Sequence, residues 1–247
     1  MMKVMTPFLL GVCLILGLAS CKDDSQKEKL IVGLSAEYPP FEYLQQGSIV
    51  GFDVDLAHEL GKEMNKDVEI KDMNFSSIIQ SLQSNLIDMG ISAITVSVER
   101  KANIDFSDIY YQPRIAIIFK TDAPLKDLSA LTNKSIGVQL GTTMELYLRE
   151  QSKTIENLKI VPMNTNPMLI EELKVGRLAA VAVEDLQAKE FCAKNPSLSF
   201  ILLDQFGEGY AIGFKKGSPL CEQANNALAS LKQKGVLDAL RKKWMGA

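Results

Sequence analysis

LIVGLSAEYPPFEYLQQGSIVGFDVDLAHELGKEM, residues 30–64, changes its apolar period once, and that change decides the fold. LIVGL at 30–34 is a short apolar run halted by proline, too short for a helix, and reads as a buried strand. After GFDVD, Leu56, Leu60 and Met64 recur at i, i+4 and i+8, which predicts a helix over 53–64 with Asp53 or Asp55 as its N-cap. VEI then predicts a second strand, 77–86 a second helix, and IDMGISA at 87–93 a third strand. Alternating strands and helices are βαβ units, so the chain is α/β. Within this stretch EYPPFEY, 37–43, spends three aromatics beside two prolines in a chain that is only 7% aromatic. Pro39 and Pro40 are expected to hold the backbone extended and fix where Tyr38 and Phe41 point. The rings then form either a preformed binding wall or core packing beneath a turn.

Farther along, a second set of apolar runs follows: IAIIF (115–119), SIGVQL (135–140), LKIV (158–161), AAVAV (179–183) and FILL (200–203). Helical segments at 143–150 and 167–175 lie between them. YAIGF at 210–214 predicts a last strand, and 219–244 a long amphipathic helix with Ala224, Leu228, Leu231, Val236 and Leu240 inward. Two α/β lobes are the economical arrangement for 247 residues that are 47% hydrophobic and 23% charged. A net charge of −3, with no basic run interleaved with aromatics, excludes a nucleic-acid partner.

Upstream, MMKVMTPFLLGVCLILGLAS has one early lysine and then an uncharged run from Phe8 to Ala19, the layout of a signal peptide over 1–20. It is shorter than the roughly 20 apolar residues that a spanning helix needs. LASC, ending at Cys21, is similar to a bacterial lipobox, which implies lipidation of Cys21 and a tether over 21–28. Cys192 and Cys221 fall in different lobes and are expected to be free, buried thiols. The single histidine, His58, and the absence of a Cys/His/Asp cluster at ligand spacing predict no metal.

In α/β sheets ligands sit beyond the carboxyl ends of the strands. Those ends hold Ser35 to Tyr38, Ser92 to Arg100, Gly141 to Thr143, and Glu184 with Asp185. In GISAITVSVER, 90–100, Ser92, Thr95 and Arg100 can converge on an anion, and a guanidinium pairs two-to-two with a carboxylate. GTT at 141–143 brings backbone N–H groups and hydroxyls, including Thr142 and Thr143, to a helix start suited to the same group. Glu184 or Asp185 suits an ammonium. Carboxylate on one side and ammonium on the other describe a free α-amino acid.

Taken in order, AEYPPFEY, GFDVDLAHEL, DMGISAITVSVERKANIDFSDIYY, IGVQLGTTMELYL, GRLAAVAVED, GYAIGFKKGSP and ALASLKQKGVLDALRKKW resemble the polar amino-acid-binding proteins of bacterial ABC importers. The likeness spans nearly all of 30–245. It implies a two-lobed, periplasmic-binding-protein-like fold of type II with two crossover hinge strands, closing on its ligand like a hinged trap. Lobe 1 would be 29–113 plus 209–247, and lobe 2 would be 114–208. The resemblance implies Arg100 as the carboxylate clamp, helped by Thr95 and by Thr143, with Ser92 and Ala93 meeting the ammonium. Tyr38 and Phe75 would be opposing walls for the ligand side chain. It further implies a monomer without cofactor, whose partners are a free amino acid of the arginine, lysine, histidine or glutamine class, the permease and ATPase subunits of an importer, and a membrane reached through the lipid anchor.

Two positions depart from the family pattern. Glu184 replaces an aspartate, and Ser35 stands where cation-binding members often carry an acid, while Glu37 sits beside Tyr38 instead. Strand alternation turns Glu37 and Tyr38 opposite ways. The rival function is an exported dehydratase-like enzyme of the prephenate or arogenate type on the same frame, with Glu184 as general acid.

Overall fold

The computed structural model describes residue 1, residues 27–206 and residues 208–246. Apart from Met1, the expected signal peptide lies outside the described residues, as does Cys21. The ordered chain begins with β1 (Lys29–Leu34), a small antiparallel meander of β2 (Glu37–Tyr38), β3 (Glu42–Gln45) and β4 (Ser48–Val50), and then α1 (Phe52–Glu63). β5 (Asp67–Asp72), α2 (Ile78–Gln83), β6 (Met89–Gly90), α3 (Val98–Asn103) and β7 (Ile104–Phe106) follow. The next block is β8 (Arg114–Lys120), β9 (Ser135–Gln139), α4 (Thr143–Gln151), β10 (Lys159–Met163), α5 (Asn166–Lys174), β11 (Ala180–Glu184), α6 (Asp185–Lys194) and β12 (Leu198–Phe206). β13 (Gly213–Lys215), α7 (Leu220–Gln233) and α8 (Val236–Met245) close the chain.

These strands make two five-stranded sheets, in the orders β5-β1-β6-β13-β7 and β10-β9-β11-β8-β12. The two sheets share one topology. In each, three parallel strands are joined by a strand that enters antiparallel from the other half of the molecule. The links from β7 to β8 and from β12 to β13 cross between the sheets and bond to each other. Tyr110 N–H donates to the Tyr210 carbonyl at 2.9 Å, and Tyr210 N–H to the Tyr111 carbonyl at 2.7 Å. Leu30, Val32, Leu56, Leu60, Phe214 and Leu228 belong to the core of the first sheet, while Ile117, Ile136, Val138 and Leu148 belong to one face of the second. Each such side chain contributes about 1.5–3 kcal/mol by leaving water.

The elements depart from the sequence reading at several places, among them the last strand, expected over 210–214 and found only at Gly213–Lys215. Asp53 does not cap α1. The N-cap is Gly51, at φ 138°, and a Cβ there would lie 2.0 Å from the Phe41 carbonyl oxygen, so only glycine fits. Pro39 and Pro40, joined by a cis peptide, turn the chain instead of extending it, and Phe41 N–H reaches the Tyr38 carbonyl at 2.8 Å. The expected strand over 87–93 pairs only at Met89–Gly90, because beyond Gly90 the backbone leaves the sheet and Ala93 takes φ 47°. The long helix over 219–244 breaks at Gly235, whose φ of 73° belongs to the left-handed region. Cys192 and Cys221 are free, but both are only half-buried.

Candidate functional site

The carboxyl ends of both parallel strand sets face a partly enclosed cavity. Ser35, Glu37, Tyr38, Phe75, Ser92, Ala93, Thr95, Arg100, Thr142, Thr143 and Glu184 all line it. Asp185 does not. It opens α6, where its Oδ1 accepts the Leu186 N–H at 2.9 Å.

Arg100 is 6% exposed, deep for a guanidinium. α3 positions it, and the Ser97 hydroxyl caps that helix by accepting the Arg100 N–H at 3.2 Å. Its Nη1 donates to the Thr95 carbonyl at 2.6 Å and its Nη2 to the Gly141 carbonyl at 3.0 Å, while the guanidinium carbon lies 5.4 Å from the Phe75 ring centroid. Among the described residues no carboxylate bonds to this cation, and burial lowers its pKa to about 10. A buried cation held by neutral oxygens is a ready partner for an incoming anion. Beside it, the Thr142 hydroxyl donates to the Gln139 carbonyl at 2.8 Å and accepts the Glu145 N–H at 3.2 Å, and this cap opens α4 toward the cavity.

Acidic side chains collect on the other wall. Glu184, the last residue of β11 and the N-cap of α6, is buried, and burial raises its pKa to about 8 against a hydrogen bond donated by the Tyr210 hydroxyl. The Tyr210 and Tyr38 hydroxyls lie 3.4 Å apart. Phe41 is 1% exposed and packs on Phe52, Tyr111 and Tyr210 with centroids 5.1–6.1 Å away, so it anchors the turn that carries Tyr38. Glu37 shares the cavity with Tyr38, contrary to strand alternation, because β2 is only two residues long and turns at once into the prolines. Its carboxylate accepts from Gln139 Nε2 and from the Thr165 side chain and Asn166 backbone, while burial raises its pKa to about 7.

Three lining residues were not anticipated from the sequence: Glu42, Gln139 and Met144. Tyr210, buried beside the cavity, is a fourth functional candidate that periodicity missed. Glu42 stood in plain view within EYPPFEY, and an acid directly after a proline-aromatic turn was the available signal. Gln139 and Tyr210 read as ordinary strand residues.

Two α/β halves joined by paired crossovers, with a polar cleft between them, define a solute-binding protein. The matching family model covers residues 30–247, and the chain belongs to the bacterial extracellular solute-binding proteins, family 3. Among its relatives is the arginine-binding extracellular protein ArtP of Bacillus subtilis (strain 168), 38% identical over 251 residues and 98% of each chain. The L-cystine-binding protein TcyJ of Escherichia coli (strain K12) is 30% identical over 227 residues, covering 90% of this chain and 84% of its own. An ancestral arginine-binding protein solved with arginine bound superposes with a TM-score of 0.85 at 36% identity, over 89% of this chain and 99% of the other. These similar proteins are binders of amino acids by name, not enzymes.

Proposed function

We propose that this protein is an extracytoplasmic receptor for a free basic L-amino acid, arginine foremost, which it delivers to the permease and ATPase subunits of an ABC importer. The single observation that carries this reading is the make-up of the cavity: one buried guanidinium, with no carboxylate bonded to it among the described residues, shares the cavity with the acidic side chains Glu37 and Glu184. The ligand α-carboxylate takes the Arg100 fork, with Thr95 and Thr143 beside it. Glu184 balances the ammonium, with Ser92 and Ala93 contributing oxygens. Tyr38 and Phe75 flank the side chain, where aromatic faces favour a cation. The surplus of acids over bases favours arginine or lysine over glutamine, and the names of arginine-binding relatives support the same choice.

In this reading 29–113 with 209–247 and 114–208 move as two lobes about the Tyr110–Tyr210 crossovers. The receptor works as a monomer, held at the membrane by lipid on Cys21 and tethered through 21–28. Isothermal titration of residues 22–247, refolded to strip carried-over ligand, against the twenty amino acids and prephenate tests the proposal. Tight binding of a basic amino acid, recovered unchanged and lost in Arg100→Ala, supports it. No amino-acid binding, or turnover of prephenate, sinks it.

A further inference from the structure

Behind the ammonium side of the cavity, two acidic side chains are buried together. Glu42 of β3 is 1% exposed and Asp53 of α1 is 0% exposed. Asp53 Oδ2 accepts the Ala93 N–H at 2.8 Å and the Tyr110 hydroxyl at 2.9 Å. Glu42 Oε1 accepts the Ser92 hydroxyl at 2.6 Å. The remaining oxygens, Glu42 Oε2 and Asp53 Oδ1, are buried without a hydrogen-bond partner among the described residues, although the two carboxyl groups are anchored on consecutive residues and act on each other electrostatically. Two ionised carboxylates offer each other only lone pairs, so these oxygens can satisfy one another only if a proton lies between them.

We infer that Glu42 and Asp53 hold one proton between them, carried by Glu42 and donated to Asp53, and that this pair sets the hydrogen-bond polarity of the ammonium subsite. The donor count assigns the proton. Asp53 already receives two protein donors and keeps the charge, whereas Glu42 receives one and becomes the acid. Burial raises the affinity of both groups for protons, and the charge on Asp53 raises Glu42 further. The other titratable groups acting on the pair, Glu37 from β2 and Tyr110 from the first crossover, supply no positive charge.

The consequence falls on Ser92 and Ala93. A serine hydroxyl has one hydrogen and two lone pairs. At Ser92 the hydrogen goes to Glu42, and one lone pair accepts the Ser35 N–H at 3.0 Å. What is left for the cavity is an acceptor, which suits an ammonium and rejects a carboxylate. Asp53 meanwhile holds the N–H of Ala93, a non-glycine residue kept at φ 47° in the left-handed region that favours glycine. Glu42 and Asp53 are therefore positioning residues that act through Ser92 and Ala93. The functional consequence rests on the amino-acid-receptor reading, but the proton itself does not.

Infrared spectroscopy of the unliganded protein tests the proton directly. A Glu184→Gln background at pH 8.5 leaves Glu184 absent and Glu37 ionised. A protonated-carboxyl C=O band that persists there and disappears on adding Glu42→Gln is the expected result. No band, or a band indifferent to Glu42→Gln, overturns the inference. Should the double variant fail to fold, NMR of Glu184→Gln labelled with ¹³Cδ-glutamate gives the same answer: one glutamate resonance stays at the protonated position, or none does. The positioning role is read from arginine titrations. Glu42→Leu removes the acceptor of Ser92 and is expected to weaken binding roughly tenfold or more. Glu42→Gln, whose amide donates to Asp53 and accepts from Ser92, recovers most of that loss. Equal losses in the two variants overturn the positioning role, and absence of amino-acid binding by the unmutated protein is a failure of the receptor reading alone.

Discussion

Glu37 of β2 accepts a hydrogen bond from the side-chain amide of Gln139, at the carboxyl end of β9, so the two halves of the molecule are tied across the cleft by residues 102 positions apart. The same carboxylate accepts from the Thr165 side chain and the Asn166 backbone, also on the second sheet's side. Its role is closure. Glu37→Ala and Gln139→Ala are each expected to weaken ligand binding about tenfold, since hydrogen bonds to charged groups contribute about 1.5–3 kcal/mol. A double-mutant cycle read by titration calorimetry shows strong coupling if the pair acts as one contact. Strictly additive losses count against it.

Arg100 is the second prediction. Replacing it by alanine removes the buried cation, and affinity for any amino acid is expected to fall by at least about a hundredfold, or ~3 kcal/mol. Arg100→Lys should recover little, because an ammonium cannot reproduce the planar fork. Near-wild-type affinity in Arg100→Lys would mean that the carboxylate is held elsewhere.

Glu184 gives the protein a pH signature. Its pKa in the fold, about 8, stands above its ordinary value of 4.5 because burial penalises the charge. Stability from a raised carboxyl is complete below about pH 4.5 and is lost as pH rises through about 8. The unliganded protein should therefore melt at lower temperature at pH 8.5 than at pH 5, and Glu184→Gln should flatten that slope. Glu37, raised to about 7, leaves a residual slope of the same sign. Ligand binding runs the other way, since an ammonium favours the charged Glu184. Affinity is expected to increase from pH 6 to pH 8 with proton release, measurable by titration in buffers of different ionisation enthalpy, and Glu184→Gln should reduce the release to the part that Glu37 contributes.

Gly141 meets two demands together. Its φ is 79°, and a Cβ would stand 3.3 Å from Ser76 on the opposite side of the cleft. Gly141→Ala should cost roughly 1–2 kcal/mol from the left-handed backbone alone, and should weaken ligand binding further by holding the cleft ajar. A lowered melting temperature with unchanged affinity would confine the effect to the backbone.

Local sequence determined the strands, the helices and their α/β order, because a strand such as LIVGL or a helix such as α1 writes its burial into the spacing of neighbouring residues. It also marked strand ends, which is why Tyr38, Ser92, Arg100, Thr143 and Glu184 were legible as a set. The resemblance added a division into lobes and a role for each of these residues. Tertiary structure decided what spacing cannot carry. Asp53 reads as a helix cap in sequence, and only the approach of Ala93, 40 positions away, turns it into the anchor of a strained backbone. Tyr210 reads as strand, and only the crossing of the two links sets its hydroxyl beside that of Tyr38, 172 positions away. Glu42 is an unremarkable acid until Ser92 and Asp53 enclose it. The reason is physical: periodicity reports which face of an element is buried, whereas the protonation, pairing and reach of a polar group depend on partners delivered by remote parts of the chain.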